Sequence, residues 1–156
     1  MAMVRIVSAQ TKKHYDCARD LFLQYANSLG VNLEFQGFSK ELNDLPGDYA
    51  PPHGCILLAE VSGKFVGCVA LRPFKDNICE MKRLYVVPEY QGRSIGRTLA
   101  CSVIDNARET GYEKMRLDTI ASMKEARALY CSLQFRNIEA YRYNPLENPS
   151  YMELDL

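Results

Sequence analysis

Leu84-Tyr85-Val86-Val87-Pro88-Glu89-Tyr90-Gln91-Gly92-Arg93-Ser94-Ile95-Gly96-Arg97-Thr98-Leu99 is the stretch that decides the fold. A β-branched and aromatic run stops at Pro88, passes through a glycine-containing loop and enters a helical pattern at Ile95. A strand that feeds such a loop into a helix aims free backbone N–H groups and the positive end of the helix dipole at whatever lies in front of them. The expected occupant is a phosphate. Two nucleotide fingerprints fail on spacing. Gly92 and Gly96 are too close for a P-loop, and Arg97 stands where that loop has Lys; the glycine triplet of a dinucleotide-binding turn does not occur.

Outward from this loop, periodicity lays down a series of elements. Met3–Ala9 alternates as a strand, and Thr11 is a candidate N-cap for a helix from about Lys12 to Gly30, with Ala18, Leu21, Phe22, Tyr25 and Leu29 at helical spacing. A short helix is expected over Ser39–Leu45, followed by a turn-rich loop from Pro46 to Gly54. Cys55–Val61 and Lys64–Leu71 read as strands joined at Ser62-Gly63, with a further strand over Asn77–Val87. Ile95, Leu99, Val103 and Ala107 form the buried stripe of a helix that Gly111 stops, and Lys114–Ile120 is the next strand. Ser122-Met123-Lys124-Glu125 reads as a capping box opening a helix with Ala126, Leu129, Tyr130 and Leu133 on one face. Strands near Arg136–Tyr143 and Tyr151–Leu156 complete the series. The reading is a single α/β domain over residues 1–156 with a mixed sheet, in the order β-α-α-β-β-β-α-β-α-β-β.

Composition narrows the function classes. The 156 residues carry 19 Lys and Arg against 19 Asp and Glu, so no global basic field points to nucleic acid or to an anionic membrane surface. Phosphate recognition, if present, is local. The six cysteines are scattered without C-x-x-C pairs and read as small core hydrophobes of a reducing compartment, which makes a cytoplasmic location the expectation. Met1-Ala2-Met3-Val4-Arg5 carries no signal-peptide pattern and no apolar run is long enough to span a bilayer. Two histidines without ligand spacing make a metal site unexpected.

Gln91-x-x-Ser94-x-Gly96 lies one residue away from the [QR]-x-x-G-x-[GA] loop of the GCN5-related N-acetyltransferases, and Ala126-Arg127-Ala128-Leu129-Tyr130 resembles the A-x-x-L-Y segment of the same family. The element order is also that family's. The resemblance implies a mostly antiparallel central sheet with helices on both faces and acetyl-CoA as acetyl donor. It assigns Leu84, Tyr85 and Val86 to backbone pairing with the pantetheine amides, and Gln91, Gly92, Arg93, Ser94, Ile95, Gly96 and Arg97 to the pyrophosphate. It makes Tyr130 the acid that protonates the departing thiolate, and Glu80 or Asp118 the base for the incoming amine.

The reaction implied is direct attack of a primary amine on the thioester through a tetrahedral intermediate, stabilised by a backbone N–H of the strand Asn77–Val87. Tyr49 and His53, in the proline-rich loop, are candidates for the acceptor pocket. Three residues depart from the pattern: Ser94 for a Gly, Met123 for a frequent Asn, and Gln134 for the Gly before Phe135. Ser94 could cap the following helix, and it is strained only if its backbone must take positive φ. The departures motivate an alternative reading, a CoA-binding module without turnover. A third is an unrelated phosphate-ligand protein. The acceptor, a small molecule or a peptide, is not named by the sequence, and the implied fold admits a homodimer.

Overall fold

The computed structural model describes residues 3–30, 32–34 and 37–156. Met1 and Ala2, part of the stretch read for a signal peptide, lie outside them. Among the described residues seven strands and four α-helices follow one another in the expected order: β1 Val4–Ser8, α1 Lys12–Leu29, α2 Phe38–Asp44, β2 Cys55–Val61, β3 Lys64–Lys75, β4 Ile78–Val86, α3 Ile95–Thr110, β5 Lys114–Thr119, α4 Lys124–Ser132, β6 Arg136–Ile138 and β7 Ser150–Asp155. The sheet runs β1-β2-β3-β4-β5-β7-β6. Its one parallel pair is β4 with β5, the two strands joined through α3.

Helices cover both faces. Ala18, Leu21 and Phe22 of α1 and Phe38 and Leu42 of α2 pack on Ile56, Leu58, Cys68 and Ala70 of the sheet. Ile95, Leu99 and Val103 of α3 and Tyr130 of α4 pack on the opposite face against Leu57, Val69, Met81, Met115 and Leu117. The alternation in β2 and β3 thus feeds two cores from the same strands.

Local chemistry explains most boundaries. Thr11 caps α1 by accepting from His14 N, and the His14 ring closes the box by accepting from Thr11 N. Gly30 and Gly111 end α1 and α3 in the left-handed conformation. Ser62 and Gly63 turn the β2–β3 hairpin with φ of 50° and 80°.

Three expectations are corrected. β3 continues past Leu71, which lies opposite Cys55 at the start of β2, to Lys75, because Arg72, Pro73 and Lys75 still pair with β4; Pro73 sits where the β3–β4 register breaks, so its missing N–H interrupts no regular ladder. β6 stops at Ile138 because the side chains of Tyr141 and Arg142 are drawn to Glu80 and that of Asn144 to Asp118. The capping box at Ser122 does not form. Met123 is the N-cap of α4 with no side-chain cap bond, and its N–H closes a turn onto Ile120 O.

The cysteines also divide. Cys55, Cys68 and Cys79 are buried as expected, whereas Cys101 and Cys131 are exposed.

α3 reaches the sheet only because residue 67 has no side chain. A Cβ on Gly67 would lie 2.9 Å from Tyr85 O and 3.0 Å from Leu99 Cδ1. Gly67→Ala should therefore destabilise the fold by about 1–3 kcal/mol, a loss typical of overpacking. Thermal unfolding checks it; an unchanged midpoint would show that α3 can shift without cost.

Candidate active site

β4 and β5 are paired only at Ile78–Lys114, Cys79–Met115 and Glu80–Arg116, after which the ladder opens. A second irregularity reinforces the opening. On β4, Lys82 is opposite Ala70 and Tyr85 opposite Cys68, so Arg83 and Leu84 share the single residue Val69 across the β3 ladder. This is a β-bulge with Arg83 at φ 62°, and it turns the strand locally. The backbone edge of β4 from Met81 onward, with no β5 partner, faces a cavity lined by Met81–Leu84, Leu117–Ile120, Met123 and Tyr130, together with Tyr25, Leu29 and Leu33.

At the end of β4 the chain forms the loop that the sequence marks as a candidate anion cradle. Gln91 ties it down, its amide donating to Val86 O at 2.8 Å. Gly92 takes φ 79°, and a Cβ there would meet nothing within 4 Å. The α3 ladder begins with Thr98 N donating to Ser94 O. The N–H groups of Ile95, Gly96 and Arg97 precede it and point out of the helix start. Arg93 stacks over Tyr90 at 4.9 Å, and Arg97 donates to Ser132 Oγ at 2.7 Å, which links the cradle to α4. An unpaired strand edge beside outward N–H groups and two exposed arginines suits an elongated ligand carrying amides and phosphates.

Ser94 does take positive φ, at 62°, and makes no side-chain cap bond, so the capping role is not realised. Gln134 repeats the situation at the end of α4. Gln134 N donates to Cys131 O and Phe135 N to Tyr130 O, a Schellman turn with Gln134 at φ 77°. Both positions where the resemblance predicts Gly are left-handed here. Two non-glycine residues hold a conformation that costs about 1 kcal/mol each, and the backbone path is preserved regardless.

The Schellman turn also seats Tyr130, whose ring lies 5.7 Å from that of Phe135. Burial raises the Tyr130 pKa, so the phenol keeps its proton, and its hydroxyl has no hydrogen-bond partner among the described residues.

The two candidate bases sit differently. Asp118 lines the cavity: its Oδ1 is 3.8 Å from Lys82 Nζ across the fork, and its Oδ2 accepts from Asn144. Glu80 does not line it. Its carboxylate is fully buried between Arg72 at 2.8 Å, Arg142 at 2.6 Å and Tyr141 Oη at 2.7 Å. Burial alone would raise its pKa, but the charges of Lys82, Arg72 and Arg142 and the Tyr141 bond outweigh that and lower it. Glu80 thereby holds the β6–β7 connection against β3 and β4.

Neither loop candidate reaches the cavity. Tyr49 is buried in the α1–α2 core, and exposed His53 accepts from Tyr112 through its carbonyl. The cavity residues that sequence reading missed are Tyr25, Leu29 and Leu33 near α1, Lys82 and Arg83 on β4, and Asn144 and Leu146 in the β6–β7 connection. Only the buried charges Lys82-Arg83 carried a signal: two consecutive cations inside a strand.

Residues 16–135, most of the chain, match the profile of the Acetyltransferase (GNAT) family, and the chain belongs to that family of N-acetyltransferases. An uncharacterised N-acetyltransferase of Schizosaccharomyces pombe is 37% identical over 155 residues, covering 98% of this chain and 95% of the relative. One from Dictyostelium discoideum is 29% identical, covering 99% of each. The fold is that of a GNAT acetyltransferase from Staphylococcus aureus Mu50, with a TM-score of 0.81 at 20% identity over 98% of this chain and 99% of the other. Among the described residues no group of three or more His, Cys, Asp or Glu could hold a metal ion, and no helix is long and apolar enough to cross a membrane.

Restoring glycine at the two left-handed positions tests the strain. Ser94→Gly and Gln134→Gly should each stabilise by about 0.5–1 kcal/mol. Each kcal/mol corresponds to a rise in Tm of roughly 2–4 °C for a chain of this size. A lowered Tm in either variant would contradict it.

Proposed function

We propose that the fork binds acetyl-CoA along the free edge of β4 and transfers its acetyl group directly to a primary amine. The observation that supports this most is the opening of the β4–β5 ladder after Glu80–Arg116, which frees the backbone of Leu84, Tyr85 and Val86. These residues would hold the pantetheine amides as a neighbouring strand would. Gln91, Gly92, Arg93, Ser94, Ile95, Gly96 and Arg97 would hold the pyrophosphate through their N–H groups and the two arginines. When bound, acetyl-CoA supplies an acetyl thioester whose carbonyl carbon is the electrophile.

A β4 N–H beyond the bulge would polarise the carbonyl oxygen. Asp118 takes the acceptor amine's proton, directly or through a water, since it is the carboxylate on the cavity wall. Tyr130 holds a proton at Oη for the departing sulfur. Glu80, enclosed by cations, keeps the wall in place. No acyl-enzyme is needed: Cys79 has its thiol pushed up to about 12 by burial, and Cys131 is exposed on α4 outside the cavity.

A CoA-binding module without turnover is the second reading, favoured by the strained Ser94 and Gln134. Calorimetry with CoA and a thiol-release assay over an amine panel separate the two. The enzyme reading predicts micromolar binding with turnover, and a loss of kcat on the order of 10²-fold in Tyr130→Phe with acetyl-CoA affinity retained. Asp118→Asn should lower kcat by a similar factor, whereas Glu80→Gln should act chiefly on the acceptor KM. Binding without thiol release for any amine would establish the module.

A further inference from the structure

Asp118 is held by a side chain that is distant in sequence and lies on no regular element. Asn144 belongs to the β6–β7 connection, and its Nδ2 donates to Asp118 Oδ2 at 3.0 Å. Its own Oδ1 accepts from Leu146 N at 2.9 Å, closing an Asx turn. That second bond fixes the amide: with the oxygen turned to a backbone N–H, only the NH2 group faces Asp118. Asn144 therefore holds the carboxylate as a donor and offers it no acceptor. Asn144, Leu146 and Asp118 all line the fork cavity.

The connection has other anchors on both sides of this bond. Before Asn144, Arg142 pairs with Glu80 at 2.6 Å, and its carbonyl accepts from Tyr151 Oη at 2.8 Å. After it, Leu146 packs on the α1–α2 core, and Asn148 O accepts from Arg127 at 2.9 Å. The reach of Asn144 toward Asp118 is set by these anchors, and a donor supported in this way locks its partner's rotamer. The effect falls on one oxygen. Oδ2 of Asp118 is occupied, whereas Oδ1 has no hydrogen-bond donor among the described residues, and Lys82 Nζ, at 3.8 Å, acts on it by charge.

Resting on the acetyl-transfer reading of the fork, with Asp118 as base, we infer that Asn144 is a positioning residue: it fixes the Asp118 carboxylate so that Oδ1 is the oxygen presented to the acceptor amine. A carboxylate free to turn about its χ angles meets the amine with the wrong oxygen, or at the wrong angle, in part of their encounters. Fixing it removes that loss, and a misplacement of about 1 Å costs on the order of 10²-fold in rate. A side chain that only tied the connection down would behave otherwise. Like Glu80, it would shape the wall against which the acceptor lies and act on the acceptor KM, whereas a residue that positions the base acts on kcat.

Asn144→Ser separates the two roles, because the serine hydroxyl still accepts from Leu146 N but is too short to reach Asp118. In the full chain, kcat should fall about tenfold, with acetyl-CoA affinity and acceptor KM unchanged. In an Asp118→Asn background the same substitution should have no further effect on kcat, since no base is left to position. An unchanged kcat, a change in acceptor KM alone, or the same tenfold loss in both backgrounds overturns the inference. A second measurement needs neither a variant nor turnover. In the unsubstituted protein the side-chain NH2 protons of Asn144, followed by NMR, should exchange with water about tenfold more slowly than those of exposed asparagines. Exchange at the exposed rate overturns the inference even if no variant folds. Slow exchange with no thiol release for any amine instead overturns the acetyl-transfer reading, and the positioning role with it, and leaves the Asn144–Asp118 bond as architecture.

Discussion

The parting of β4 from β5 is the constraint on which the rest depends. Parallel strands joined by a helix ordinarily stay paired along their length, and here they stay paired for three residues. Beyond that, the bulge at Arg83-Leu84 turns β4 away, and the exposed ladder groups would be a liability if nothing answered them. The opening is kept by what fills it from both sides. Tyr130, on α4, packs from one face, and Tyr25, Asp118 and Lys82 meet it from the other. The fold therefore stores an unfinished sheet, and the proposed function is its completion by the donor's amides.

Charge organises the acceptor side in the same way. Glu80, one of the two carboxylates the resemblance put forward as base, is a carboxylate in a buried strand and so conflicts with its surroundings. The conflict is real, but its resolution is structural: Arg72 from β3, Arg142 and Tyr141 from the β6–β7 connection converge on one carboxylate. That convergence also shortens β6 and brings Asn144 to Asp118. One buried anion thus shapes the wall against which an acceptor would lie.

The fold was largely legible in the sequence because its signals are local. The helix stops at Gly30 and Gly111, the Ser62-Gly63 hairpin and the stripe from Ile95 to Ala107 each specify an element from neighbouring residues. The turn from β4 through Gln91–Gly92 into α3 was legible for the same reason. The site's other half was not. Lys82 and Arg83 share a face only because of a bulge set by the register with β3, and Asn144 reaches Asp118 only through the path of a long connection. Tyr49 looked like a loop residue and is core, since Phe22 closes over it. Ser94 and Gln134 show the reverse case: sequence marked the positions, and only the backbone angles showed what the substitutions cost.

The most direct measurement of the central claim is amide hydrogen exchange of the protein with and without acetyl-CoA. A donor that completes the opened sheet must protect the amides of Leu84, Tyr85 and Val86 together with those from Gly92 to Arg97, and leave β1 and β2 unaffected. Binding that protects neither segment, or that protects only the cradle while β4 exchanges freely, would contradict it.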